Sequence, residues 1–130
     1  MKIGLLCLLL LAACVTGPRT FRTESQRPSI GVSDEAIRQV IADNMNTFTG
    51  CYEKSLSLDQ TLEGKMVVDW NIVTGGKVEN PKINDSKTEI IDPKMRACMV
   101  QKISSLNFPE PLNTNSFAVS YPFIFKDSKQ

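Results

Sequence analysis

Between Ile37 and Tyr52 the apolar residues Ile37, Val40, Ile41, Met45, Phe48 and Tyr52 recur at steps of three and four, the spacing that lines one face of an α-helix. Ser33 precedes them as a candidate N-cap, and Asp34 and Glu35 fill the first turn, where carboxylates favour the positive end of a helix. The pattern predicts a first helix from about Asp34 to Ser55. Gly50 weakens its last turns, a cost that close packing of another segment against it would explain. From Gly64 the period falls to two: Met66, Val68, Trp70 and Ile72 alternate with Val67, Asp69, Asn71 and Val73, as on a strand with one buried face. Gly75-Gly76 marks a tight turn, and Lys77 to about Asn84 returns as the second arm of a hairpin. Pro81 cannot donate to a ladder, so this second strand belongs at an edge.

Asp92-Pro93 supplies an N-cap followed by proline at the first helical position. Met95, Cys98, Met99, Lys102, Ile103 and Leu106 then share one side. A second helix over about Pro93 to Ser105 follows, ended by Phe108-Pro109-Glu110-Pro111. Phe117, Val119, Tyr121, Phe123 and Phe125 alternate with Ala118, Ser120, Pro122 and Ile124, a third strand with one aromatic face. A right-handed crossover from strand two through the second helix places strand three against the free side of strand one. The expected fold is α+β, in the order helix-strand-strand-helix-strand. Its three-stranded sheet has the order 2-1-3 and carries both helices on one face, over Met66, Val68, Trp70, Ile72 and the aromatic side of strand three.

Composition narrows the chemistry. The chain has 130 residues and a formal charge of +1, with no basic patch to grip nucleic acid. It contains no histidine, which removes the commonest general base, the commonest metal ligand and every histidine-containing triad. The nearest approaches to reactive groups are Glu53 beside Tyr52, Asp69 beside Trp70, and Asp85-Ser86-Lys87. Each has a plainer reading, as a wet helix end, the polar face of a strand and a polar loop. No nucleophile with a base, glycine-rich phosphate loop or metal-ligand cluster is present, so the expectation is a protein without catalytic residues, metal or cofactor. Trp70 at strand spacing reads as core rather than as a ligand-stacking platform.

The start of the chain supplies an address. Lys2 leads into the apolar run Ile3 to Leu11 and then Leu11-Ala12-Ala13-Cys14, which resembles the lipobox of a bacterial lipoprotein. The run is short for a membrane span and fits a secretory signal; an ordinary signal peptide would leave Cys14 unexplained. The resemblance implies a signal peptide at 1–13 and lipid on Cys14; the polar chain after it, punctuated by Gly17, Pro18, Pro28 and Gly31, reads as a tether over 14–32, followed by a domain at 33–126 and a polar tail at 127–130. Arg19, Arg22 and Arg27 in the tether suit anionic headgroups, with a solvated linker as the plain alternative. With Cys7 in the discarded run and Cys14 lipidated, Cys51 and Cys98 are the two thiols left in an oxidising compartment, and they are expected to pair. Two buried free thiols are the alternative. A redox role is disfavoured, since no Cys-x-x-Cys spacing occurs.

Taken in order, Cys51-Tyr52-Glu53, Gly64-Lys65-Met66-Val67-Val68, Gly75-Gly76-Lys77-Val78, Cys98, Phe108-Pro109-Glu110-Pro111 and Tyr121-Pro122-Phe123 resemble the AgmX/PglI type of C-terminal domain. That type is related to the C-terminal domain of TonB energy transducers. The resemblance spans about Ile37 to Phe125 and implies the same α+β fold and a binding role in the envelope, in some relatives linked to gliding motility. A TonB transducer is held in the inner membrane by a spanning helix and carries a long proline-rich spacer. A lipid anchor and a short tether do not suit work across the periplasm.

The leading functional expectation is a non-catalytic lipoprotein of a Gram-negative envelope, held at the outer membrane and facing the periplasm, that binds another envelope protein. The binding mode would be strand addition at the free edge of the last strand, with Phe117, Ser120, Tyr121, Pro122 and Phe125 as the contact residues; the aromatic stripe reads first as core, with Phe117 and Phe125 at its ends as an apolar contact patch in the second reading. Pro122 argues partly against it, because it lacks a donor. Pairing of two copies through the same edge is a competing use. The alternative is a structural or pilotin-like assembly lipoprotein of a motility, secretion or transport machine, in which the lipid itself is essential.

Overall fold

The computed structural model describes residues 30–128, so the signal peptide, Cys14 and the tether up to residue 29 lie outside the described residues. The chain forms α1 (Asp34–Asp43), α2 (Met45–Leu56), β1 (Gly64–Val73), β2 (Val78–Ile83), α3 (Pro93–Ser104) and β3 (Ser116–Phe125). The strands make one sheet in the order β2-β1-β3, with both neighbouring pairs antiparallel. This is the α+β architecture and the sheet order that the sequence predicts.

The expected first helix is present but broken. Ser33 caps it, its hydroxyl accepting from the Ala36 N–H at 3.1 Å. At Asn44 the side-chain amide donates to the Val40 carbonyl at 2.8 Å, while the Asn44 N–H turns to Ile41 at 3.1 Å. The asparagine side chain has taken the bond that its own backbone would make in a continuous helix, so α1 ends and α2 starts at Met45. The break leaves Met45 46 % exposed, although the helical spacing puts it on the apolar face. Gly50 also departs from expectation: a Cβ there would meet nothing within 4 Å. Close packing is therefore not the reason for this glycine, and nothing in the structure explains it.

α3 begins as expected, with the Asp92 carboxylate accepting from the Lys94 N–H at 3.0 Å and Pro93 in the first turn. One core fills the space between helices and sheet. Ile37, Ile41, Phe48 and Tyr52 come from the first two helices, Met95, Met99 and Ile103 from α3, and Met66, Val68, Trp70 and Ile72 from β1. Phe123 rests on Phe48 with ring centroids 5.0 Å apart. Cys51 and Cys98 form a disulfide that joins α2 to α3, with Cα atoms 5.8 Å apart.

The folded domain starts slightly earlier than residue 33. Gly31 and Leu112 exchange backbone hydrogen bonds of 2.7 and 2.8 Å, and Val32 is buried in the core. Gly31 is required there, because its φ is +91° and a Cβ would run into the Phe117 ring. The last residues assigned to the tether are thus the first of the domain.

Candidate functional site

β1 is the central strand and is closed on both sides. β3 lies along its whole length, from Gly64 opposite Phe125 to Val73 opposite Ser116. On the other side β2 covers its second half, and the segment after β2 completes the cover. Asn84 N–H donates to the Val67 carbonyl at 2.9 Å, Glu89 N–H donates to the Lys65 carbonyl at 2.8 Å, and Val67 N–H donates to the Thr88 hydroxyl at 2.9 Å. Two outer edges remain, those of β2 and β3.

These edges differ in chemistry. β2 is short, and its pairing with β1 is interrupted by a bulge between Asp69 and Asn71. Asn80 sits in the bulge with φ 51°, Pro81 follows it, and Glu79 and Lys82 flank the pair. A bulge, a proline and charges are the usual devices that stop an edge from accepting another strand. β3 is longer, Ser-Phe-Ala-Val-Ser-Tyr-Pro-Phe-Ile-Phe, and contains no charged residue. Pro122 is its one blocking device.

The hydrogen-bond pattern fixes where that device points. Both backbone groups of Val67 bond towards the β2 side, and Val67 stands opposite Pro122. In an antiparallel ladder such a pair is not hydrogen-bonded across, and each residue directs its N–H and C=O away from the other. The backbone of Pro122 therefore faces the outer edge, where its missing N–H costs β1 nothing. By the period of two, Ala118, Ser120 and Ile124 direct their N–H and C=O groups outward as well. Ser116 does the same, and its backbone is already engaged by the Thr114 hydroxyl, which donates to its carbonyl at 2.9 Å.

The residues expected to make contacts separate accordingly. Ser120 and Pro122 are exposed on the face of the sheet that carries no helix, and Phe117 and Tyr121 are half-buried on the core side. For Phe125 the core reading holds and the contact role is corrected: it is 7 % exposed and rests on Tyr52, with ring centroids 5.1 Å apart. Ile124 is 62 % exposed; strict alternation gives it no more than a place on the polar face, so no sequence signal marks it as a contact residue.

That open face holds a shallow groove of about 760 Å³ lined by Asp69, Asn71, Asn80, Lys82, Ala118 and Ser120, among others. Asp69 accepts from the Asn84 side chain at 2.9 Å through Oδ2, whereas its Oδ1 is buried and has no hydrogen-bond partner. Trp70, on the opposite face of β1, is core; it is 2 % exposed and stacks on Phe108 at 5.7 Å.

Of the other reactive candidates, the Asp85-Ser86-Lys87 stretch comes beside Asp69, with Lys87 lining the same groove. Glu53 is exposed on α2. Asp85 pairs with Arg96 at 2.5 Å, and the Ser86 hydroxyl donates to the Asn84 carbonyl oxygen of the side chain at 2.8 Å. Tyr52 donates its hydroxyl to the Leu62 carbonyl at 2.6 Å; burial, then the charges of Asp127 and Glu63, push its pKa above the usual tyrosine value. Among the described residues no group of three or more histidine, cysteine or acidic side chains is placed to hold a metal, and no helix is long and apolar enough to cross a membrane. Comparison of the chain with protein-family models, with curated proteins and with solved structures finds no match.

Proposed function

We propose that this domain is the non-catalytic binding module of a lipoprotein of the Gram-negative envelope, held by lipid on Cys14, and that it takes an extended segment of another envelope protein as a fourth strand on the outer edge of β3. The supporting observation is the contrast between the two edges. β2 is bulged, charged and interrupted, while β3 offers ten uncharged residues whose outward N–H and C=O groups have no partner strand among the described residues. Main-chain pairing there supplies affinity, and the side chains beside the edge supply selectivity. The resemblance of the sequence to the AgmX/PglI and TonB C-terminal domains accords with this use of the fold. An anchor at Cys14 makes the module a local binder at one membrane rather than a transducer.

A photo-crosslinking residue in place of Ser120, with a control in place of exposed Gln39 on α1, tests the reading in cells. One envelope protein should be captured from position 120 and not from 39, and Ala118→Pro should reduce the capture severalfold. That proline removes an outward donor in the same way that Pro122 does, so the fold is preserved. Equal capture from both positions, or none from 120, overturns strand addition. Cys14→Ser distinguishes the assembly reading: if the captured partner then loses its place in the envelope, the lipid is carrying it there.

A further inference from the structure

The groove on the open sheet face and the outer edge of β3 share Ala118 and Ser120, and this overlap says something about the partner. Ser120 lies directly opposite Asp69. A strand added beside β3 would place one residue opposite Ser120, with its side chain on the same open face as Asp69. Its Cα would lie roughly 9.6 Å from that of Asp69, two strand spacings away. An extended arginine side chain and an aspartate side chain, end to end, span that distance. The positions on β3 that flank this line are the small Ala118 and Ser120.

The destination is an incompletely satisfied carboxylate. Asp69 Oδ1 is buried without a donor, and Asp69 takes part in neither the Arg38–Glu35 nor the Arg96–Asp85 ion pair. Lys82 is the cross-strand neighbour of Asp69 on the β2 side, yet its ammonium does not come within ion-pair distance. The lane on the β3 side is free of charge over its full length. Lys82 and Lys87 line the β2 side of the same groove, so the β3 side is the one approach to Asp69 without a cation of its own, and a basic group arriving there gains a charge-assisted hydrogen bond.

We infer that the segment added to β3 carries a basic side chain, arginine by its reach, at the position opposite Ser120, and that Asp69 is the residue that selects it. This inference rests on strand addition at β3, so its test must distinguish the two. The probes are three blocked nine-residue peptides of alternating threonine and valine with arginine, glutamine or glutamate at the centre, titrated against the full chain by fluorescence anisotropy. The arginine peptide should bind about tenfold or more tightly than the glutamine peptide, the scale of one hydrogen bond to a charged group, and the glutamate peptide should bind least. Asp69→Asn should erase the difference between arginine and glutamine without abolishing binding, and Ala118→Pro should weaken binding of all three severalfold. Equal binding of the arginine and glutamine peptides, still weakened in Ala118→Pro, overturns the basic-residue inference and leaves strand addition in place. Absence of binding by all three, or binding that Ala118→Pro does not affect, overturns both.

Discussion

Gly76 and Phe108 meet backbone to backbone: the Phe108 N–H donates to the Gly76 carbonyl at 2.9 Å, and the Phe108 carbonyl occupies the space that a Cβ on residue 76 would need. The contact fastens the chain after α3 to the hairpin turn and sets Phe108 against Trp70. Gly76 also has φ +75°. Gly76→Ala therefore suffers both a collision with rigid backbone and a left-handed conformation, and should lose about 3 kcal/mol or more of stability in urea unfolding. Gly75, with φ +82° but open space around it, is the control, and Gly75→Ala should lose only about 1 kcal/mol.

The disulfide spans 47 positions in sequence. In the chain-entropy account, closing a loop of that length restricts the unfolded chain enough to stabilise the native state by about 4 kcal/mol. The double variant Cys51→Ala/Cys98→Ala should show a loss of that order in chemical denaturation. Thiol labelling of the native, oxidised protein should find neither cysteine reactive.

Tyr52 ties the end of α2 to the loop before β1 through its hydroxyl. Its pKa is raised in the folded state, so the folded protein holds that proton more firmly than the unfolded chain does. The associated stability is fully present below the ordinary tyrosine value near pH 10 and is lost as pH rises through the higher folded value. Thermal unfolding followed from pH 8 upward should therefore weaken at the alkaline end. Tyr52→Phe should be less stable at pH 8, by about 1 kcal/mol for one hydrogen bond, and its alkaline loss should be shallower.

Pro122 withholds one donor from the outer edge of β3. Pro122→Thr restores it without touching the ladder to β1, because the N–H would point outward. The variant should self-associate more readily than the natural chain, as sedimentation velocity would register, and its affinity for an added strand should rise by about 1 kcal/mol. An unchanged monomer with unchanged affinity would mean that this edge is not open to pairing.

The sheet was legible in the sequence because Met66 to Ile72 and Phe117 to Phe125 alternate cleanly, and Pro81 marked the edge strand. The core was legible for the same reason, Trp70 included. The break at Asn44 was not, since periodicity reports which face a residue occupies and is blind to a side chain that competes for its own helix carbonyl. Phe108 read as part of a helix stop, yet it stacks on Trp70, a contact between residues 38 positions apart that no local pattern encodes. The candidate edge was half legible. Alternation located the strand, but which backbone groups face outward depends on Val67 bonding to Thr88 and Asn84, and this fixes the phase of the ladder. Asp69 likewise read as an ordinary polar-face residue, because only packing reveals that one of its oxygens lacks a donor.

The bridge between Gly31 and Leu112, with Phe117 pressed against Gly31, brings the N-terminal chain onto the domain beside the first residues of β3. The strand then leads away from that point for about 30 Å, at roughly 3.3 Å per residue. A load between the tether and a partner whose chain continues past Ile124 would run along the strand. The edge hydrogen bonds would then be stressed in shear, all sharing the force at once, rather than being peeled apart one by one.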